Sequence, residues 1–166
     1  MTLTLQHVNP AGLRAFMGTL TDNADVHASL AEAARALGVN AGTFELLGGL
    51  TRVEFTEYDF LTRQRKPALS FERALEIVAG HGTLSLLDGA PSVHLHLVCA
   101  FRDDAAPHGI AIVGGHAARA IAFAVEFTLL AFDGATVQRA QHAGTGLKLW
   151  SLPSLPTGAG MGLRAS

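Results

Sequence analysis

Residues 92–101 read Ser92-Val93-His94-Leu95-His96-Leu97-Val98-Cys99-Ala100-Phe101. Side chains alternate across a β-strand, so residues i and i+2 share a face. Val93, Leu95, Leu97 and Cys99 therefore fall on one face, and His94 and His96 on the other. An apolar row backed by two imidazoles predicts a strand that covers a core on one side and presents chemistry on the other. Asp88-Gly89, just upstream, is a hairpin signal because both residue types tolerate positive φ. It joins this strand to one at Thr83–Leu87.

The same period runs outward in both directions. Ile121, Phe123, Val125, Phe127 and Leu129 alternate within Ala117–Phe132, which reads as strand despite its alanines. Gly109–Val113 reads as another strand, ahead of a break at Gly114-Gly115. In Leu69–Ala79 the residues Leu69, Phe71, Leu75, Ile77 and Ala79 share a face, with Arg73 the exception. Thr43–Leu47 and Leu50–Tyr58 flank Gly48-Gly49, read as a plain bend in preference to a bulge or a close backbone approach; no Lys-Ser/Thr follows, so it is no phosphate loop. Leu13–Leu20 is expected to be the first core strand and Leu147–Leu152 the last. Only Val26, Leu30, Ala33, Ala34 and Leu37 keep helical spacing, predicting a helix over 24–37. Asp22 or Asn23 suits its N-cap, Asp25 its positive end, and Gly38 the position just past its end. One helix against seven or more strands gives an α+β class with a mostly antiparallel sheet. The expected division is an N-terminal arm over 1–12 with a short strand at Thr2–Val8, a single domain over 13–152, and a Gly/Pro-containing tail over 153–166.

Composition narrows the function classes. Of 166 residues, 49% are hydrophobic and 16% charged, the reverse of a disordered chain. So little charge also suggests surface covered by partner subunits. Twelve basic residues face fourteen acidic ones, for a net charge of −2. The densest basic cluster is Arg63, Arg65 and Lys66, too sparse for the stripe that duplex binding needs, so DNA is not an expected partner of the isolated chain. The single Cys99 excludes an internal disulfide and a cysteine-pair zinc site, and it faces away from the histidines. The most apolar stretch, Gly109–Phe132, is interrupted by His116, Arg119 and Glu126, unlike a membrane span. Met1–Gly12 has neither the basic nor the apolar region of a signal peptide, so the chain is expected to be soluble and cytoplasmic.

The eight histidines are the unusual entry. His116 follows Gly114-Gly115 one connection after the His94/His96 pair, and antiparallel pairing across the 102–108 loop would bring it toward them. Three neutral imidazoles suit Zn²⁺ at about 2.0–2.1 Å with a fourth position left for water. Other divalent metals also accept imidazole, so donor type alone does not choose. The competing reading leaves the pair lining a half-exposed strand. Glu76 and Glu126 interrupt apolar strands and are the candidates for an orienting carboxylate or general base. Their plainer role is an ion pair with Arg73, Arg119 or Arg52. His81, in Gly80-His81-Gly82, is a loop residue or an additional ligand; His7, His27, His108 and His142 read as surface.

Taken in order, Leu75-Glu76-Ile77, Asp88-Gly89-Ala90-Pro91, His94-Leu95-His96, Gly114-Gly115-His116 and Val125-Glu126-Phe127 resemble the PPC (plants and prokaryotes conserved) domain family, over roughly Leu13–Phe132. The resemblance implies a mostly antiparallel sheet flanked by helices, a homotrimer, and His94, His96 and His116 as metal ligands. In plant relatives a separate AT-hook holds DNA; its Arg-Gly-Arg-Pro core is absent here. Two further departures stand out. Ala117, Ala118 and Arg119 occupy positions where the family carries Leu and an acidic residue, and His81 replaces a small residue. The expected function is a homotrimeric binding or regulatory module with a three-His metal site and a protein or small-molecule partner. The alternatives are a zinc-dependent hydrolase using metal-bound water, with Glu76 or Glu126 as base, and a DNA-binding protein using Arg14, Arg52, Arg63 and Arg65.

Overall fold

The computed structural model describes residues 4–154. Its elements are β1 (Leu13–Thr21), α1 (Val26–Leu37), β2 (Gly42–Thr56), β3 (Tyr58–Asp59), β4 (Gln64–Arg65), β5 (Leu69–Leu87), β6 (Ala90–Arg102), β7 (Ile110–Phe132), β8 (Gln138–Gln141) and β9 (Lys148–Trp150). Mostly antiparallel sheet with one α-helix matches the α+β reading; α1 is the single α-helix among the described residues, where flanking helices were expected. Among the described residues no helix is long and apolar enough to cross a membrane.

Long β7 organises the sheet. One of its edges pairs with β2, from His116 opposite Thr56 to Ala131 opposite Gly42. Its other edge pairs with β6 at 110–116 and with β1 at 124–132. β2 also pairs with β5, and β5 with β6, so the ladders return to β7 and close a ring. The gap left on β7 between β6 and β1 is filled by the chain entering α1. There the Ala122 N–H donates to the Ala24 carbonyl (2.9 Å) and the Asn23 N–H to the Ala122 carbonyl (3.1 Å). Val26, Leu30 and Ala34 of α1 are fully buried with Phe44, Leu50, Val53, Leu95, Leu97, Cys99, Val125 and Leu129 from the ring. The helix begins at Asp25, whose Oδ1 accepts from the Ala28 N–H (3.1 Å), rather than at Asp22 or Asn23. Those two sit at positive φ in the turn before it. Gly38 closes it with N–H bonds to the carbonyls of Ala34 and Arg35.

Strands that read as broken are continuous. Gly48 sits inside β2 at φ 113° where the pairing slips, and a Cβ there would strike the Ala124 carbonyl oxygen. β7 runs unbroken through Gly114-Gly115, and β5 through Gly80-His81-Gly82. In β5 a bulge between Ile77 and Ala79 reverses the alternation. Leu75 and Ile77 point inward, Val78 and Ala79 outward, so Ala79 does not share their face as expected. Beyond the bulge Gly80, Gly82 and Leu84 are the inward residues and His81 is exposed. A Cβ on Gly80 would lie 2.8 Å from Leu97 Cδ2, and one on Gly82 would run into the Phe44 ring and the His94 carbonyl. These glycines therefore permit a close core approach rather than a turn. Among the described residues of the arm, the strand expected at Thr2–Val8 is reduced to one bridge, Thr4 to Ser154. The tail beyond Ser154 lies outside the described residues. The β3–β4 hairpin and β8, which runs parallel to β5, had no counterpart in the sequence reading.

Gly82→Ala is expected to lower unfolding free energy by roughly 1–3 kcal/mol, the cost of overpacking a filled core. Urea denaturation reads this directly. An unchanged midpoint would show that Phe44 and the β6 backbone yield easily.

Candidate metal centre

The outward face of β6 carries His94 and His96, because Leu95, Leu97 and Cys99 hold the inward one. His96 lies directly opposite His116 of β7. Two independent rules thus converge: alternation along one strand and register across two. The three rings stand with centroids 5.0–5.4 Å apart. One nitrogen from each lies within 4.8 Å of the others. His94 Nε2 and His96 Nε2 are 3.2 Å apart. Ligand bonds of about 2.0–2.1 Å to one tetrahedral ion place its nitrogens about 3.3–3.4 Å apart. That pair is therefore already at the spacing a shared cation requires.

The electrostatics suit neutral donors. Burial pulls His94 down to about 4, with the Arg139 guanidinium adding to the shift. Burial likewise pulls His116 to about 4, with neighbouring His94 and Arg65 contributing. His96 is lowered by burial and then by His81. Uncharged imidazoles at neutral pH keep a lone pair free for a metal. Among the described residues no carboxylate hydrogen-bonds to the rings. Instead Arg139 of β8 reaches Ser85 Oγ (2.8 Å), Thr83 Oγ1 (3.1 Å) and the Lys148 carbonyl (3.1 Å), and lies 3.4 Å from His94 Nδ1. The last contact is the longest and weakest. The donor set fits a divalent ion, with an arginine standing where a metal-bound histidine usually finds an acceptor.

The histidines open into a groove of about 840 Å³ between the ring, the β3–β4 hairpin and the segment before β9. Phe55, Tyr58, Phe60, Leu69 and Leu149 wall it, and Arg65 and Lys66 line it.

The remaining candidates lie elsewhere. Glu76 is exposed on β5 opposite Gly49 and Ala100. Glu126 lines a separate groove with Glu45 and His81. Among the described residues neither forms an ion pair; Arg52 takes Glu54 and Glu72 instead, and Arg119 takes Asp25. His81 is in register with His96 but does not join the cluster of three. His27, read as surface, is half-buried, with Nε2 3.0 Å from the Ala117 carbonyl. Arg139 escaped the sequence reading entirely, since no local pattern marks a residue brought in by a short parallel strand.

A family model described as the Plants and Prokaryotes Conserved (PCC) domain matches residues 8–133. The chain belongs to this family, the one its motif order resembles under the name PPC. Among solved structures it is similar to a metal-containing protein of Archaeoglobus fulgidus, with a TM-score of 0.76 and 25% identity over 90% of this chain and 99% of that one. A plant- and prokaryote-conserved protein of Pyrococcus horikoshii has a TM-score of 0.74 at 19% identity, covering 93% of this chain and 97% of its own. A Bacteroides thetaiotaomicron protein, described provisionally as DNA-binding, has a TM-score of 0.71 at 14% identity, covering 92% and 98%. These last two likenesses speak to the fold alone. No curated protein matches the chain at a significant level.

Metal-free protein is expected to lose stability on acidification through this cluster. His94 and His116 protonate near 4 when folded but near 6.5 when unfolded, so the unfolded chain binds more protons between those values. Stability is then full above about pH 6.5 and falls toward pH 4. Urea midpoints across this range, for the chelated wild type and a His94→Gln/His116→Gln double variant, measure it. Equal slopes in the two proteins would refute the assignment.

Proposed function

We propose that this chain is a homotrimeric binding module in which His94, His96 and His116 hold a divalent metal ion, Zn²⁺ by donor chemistry, beside a groove for a small-molecule ligand. The observation that carries the reading is the meeting of these three imidazoles on the outer face of the β6–β7 ladder. Their depressed pKa values support it, as does the metal-containing Archaeoglobus relative. A zinc ion held this way would supply Lewis acidity and an open coordination position. This chain's own residues would hold it through the β6–β7 ladder, with Phe55 and Leu149 among the apolar walls of the groove beside it.

The positions of Glu76 and Glu126, away from the cluster, favour binding over hydrolysis. Glu57, the one carboxylate among the described residues of the groove lining, is paired with Lys66 at 2.8 Å. DNA binding is supported less still. Arg14 and Arg52 are already committed to Asp133 and to Glu54 and Glu72, and the net charge is −2. The trimer draws support from the exposed apolar side chains Met17, Leu47 and Val78, gathered along a second groove on β1, β2 and β5. The lone Cys99, buried and with its thiol pushed up to about 11 by burial, suits a reducing cytoplasmic setting.

Elemental mass spectrometry on untagged protein should find about one metal per subunit, as a three-His set on each chain requires. His94→Ala should lose it. Light scattering should return three times the 17.4 kDa subunit mass. Wild type without stoichiometric metal after reconstitution with Zn²⁺ overturns the metal reading, and a monomer overturns the trimer.

A further inference from the structure

We propose that the groove binds a small organic monocarboxylate with an apolar body, its carboxylate held between Arg65 and the cation of the three-His cluster. The inference rests on the metal reading above and adds the class of ligand. It begins with charge. Lys66 and Glu57 cancel as an ion pair within the groove lining. Arg65 lies in the same lining, and among the described residues no carboxylate pairs with it. Its Nη1 donates to Thr56 Oγ1 at 2.7 Å, which fixes the guanidinium while leaving other N–H donors free. Thr56 is itself the β2 partner of His116, so this bond ties Arg65 to the ladder that carries the cluster.

With neutral imidazoles, a divalent ion adds two positive charges beside that of Arg65, and among the described residues of the lining no unpaired carboxylate offsets them. An arginine fork matches a carboxylate in two parallel hydrogen bonds, which a point charge does not. The walls decide the rest of the ligand. Phe60 is 82% exposed and Leu69 67% exposed, both on the groove, and Leu149 adds a third apolar surface. Apolar area left open in this way gains from covering by a hydrocarbon body, not by a hydrated inorganic ion. The groove volume of about 840 Å³ falls within the range of about 300–1,000 Å³ typical of small-molecule sites.

The test uses full-length protein loaded with one equivalent of Co²⁺, its metal content confirmed by elemental analysis. Calorimetry and the visible Co²⁺ spectrum follow titration with phenylacetate, phenylacetamide and inorganic phosphate. Phenylacetate is expected to saturate the site and perturb the spectrum. Phenylacetamide and phosphate should each bind at least tenfold more weakly. Arg65→Met should weaken phenylacetate at least tenfold with metal content unchanged, and Arg65→Lys should fall between. Arg65 is exposed, so neither substitution threatens the fold. Metal uptake with no saturable phenylacetate binding, or binding indifferent to Arg65→Met, overturns this proposal alone. Phosphate binding in preference to phenylacetate overturns the carboxylate class. Failure of the wild type to take up metal overturns the metal reading and the two-anchor site with it.

Discussion

Everything in this molecule depends on one strand serving three partners. β7 gives one edge to β2 and divides the other between β6 and β1. A strand of 23 residues is long enough to do both, and its division closes the ring of ladders. Closure leaves only two kinds of position, inside and outside. Inside, the side chains crowd one another, which is why glycines stand where Phe44 and Leu97 press closest. Outside, alternation places every second residue of β6, including both histidines of the pair.

The candidate site follows from that geometry. His94 and His96 cannot turn inward without expelling Leu95 and Leu97, each at most 1% exposed. His116 faces them because β6 and β7 are joined in antiparallel register. Partial burial under the β3–β4 hairpin and the loop before β9 then strips water from the rings and keeps them uncharged. The same cover brings Arg65 and the apolar walls to the cluster. Site and groove are thus two consequences of one closure.

The parts of this that sequence made readable are those with short-range causes. The helix over 24–37, the Asp88-Gly89 turn and the shared face of His94 and His96 each depend on residues a few positions apart. Three errors have a common origin. Gly48-Gly49, Gly80-His81-Gly82 and Gly114-Gly115 resemble breaks, since glycine is the usual punctuation between strands. Here glycines on the ring make room for side chains or carbonyls of other strands, from the His94 carbonyl beside Gly82 to the Ala124 carbonyl beside Gly48. The Ile77/Ala79 bulge is invisible for a related reason: one extra residue reverses every later position without changing composition.

The amino-acid sequence determined the periods, the helix, the low charge and the imidazole pair, because these are set by local stereochemistry and by counting. Tertiary structure alone decided which strand meets which. It placed His116 opposite His96, sent Glu76 and Glu126 away from the cluster, and brought Arg139 and Arg65 toward it from β8 and β4. Register is the physical reason. It is fixed by burying one face of every strand at once, a condition on the whole ring that no single stretch of sequence contains.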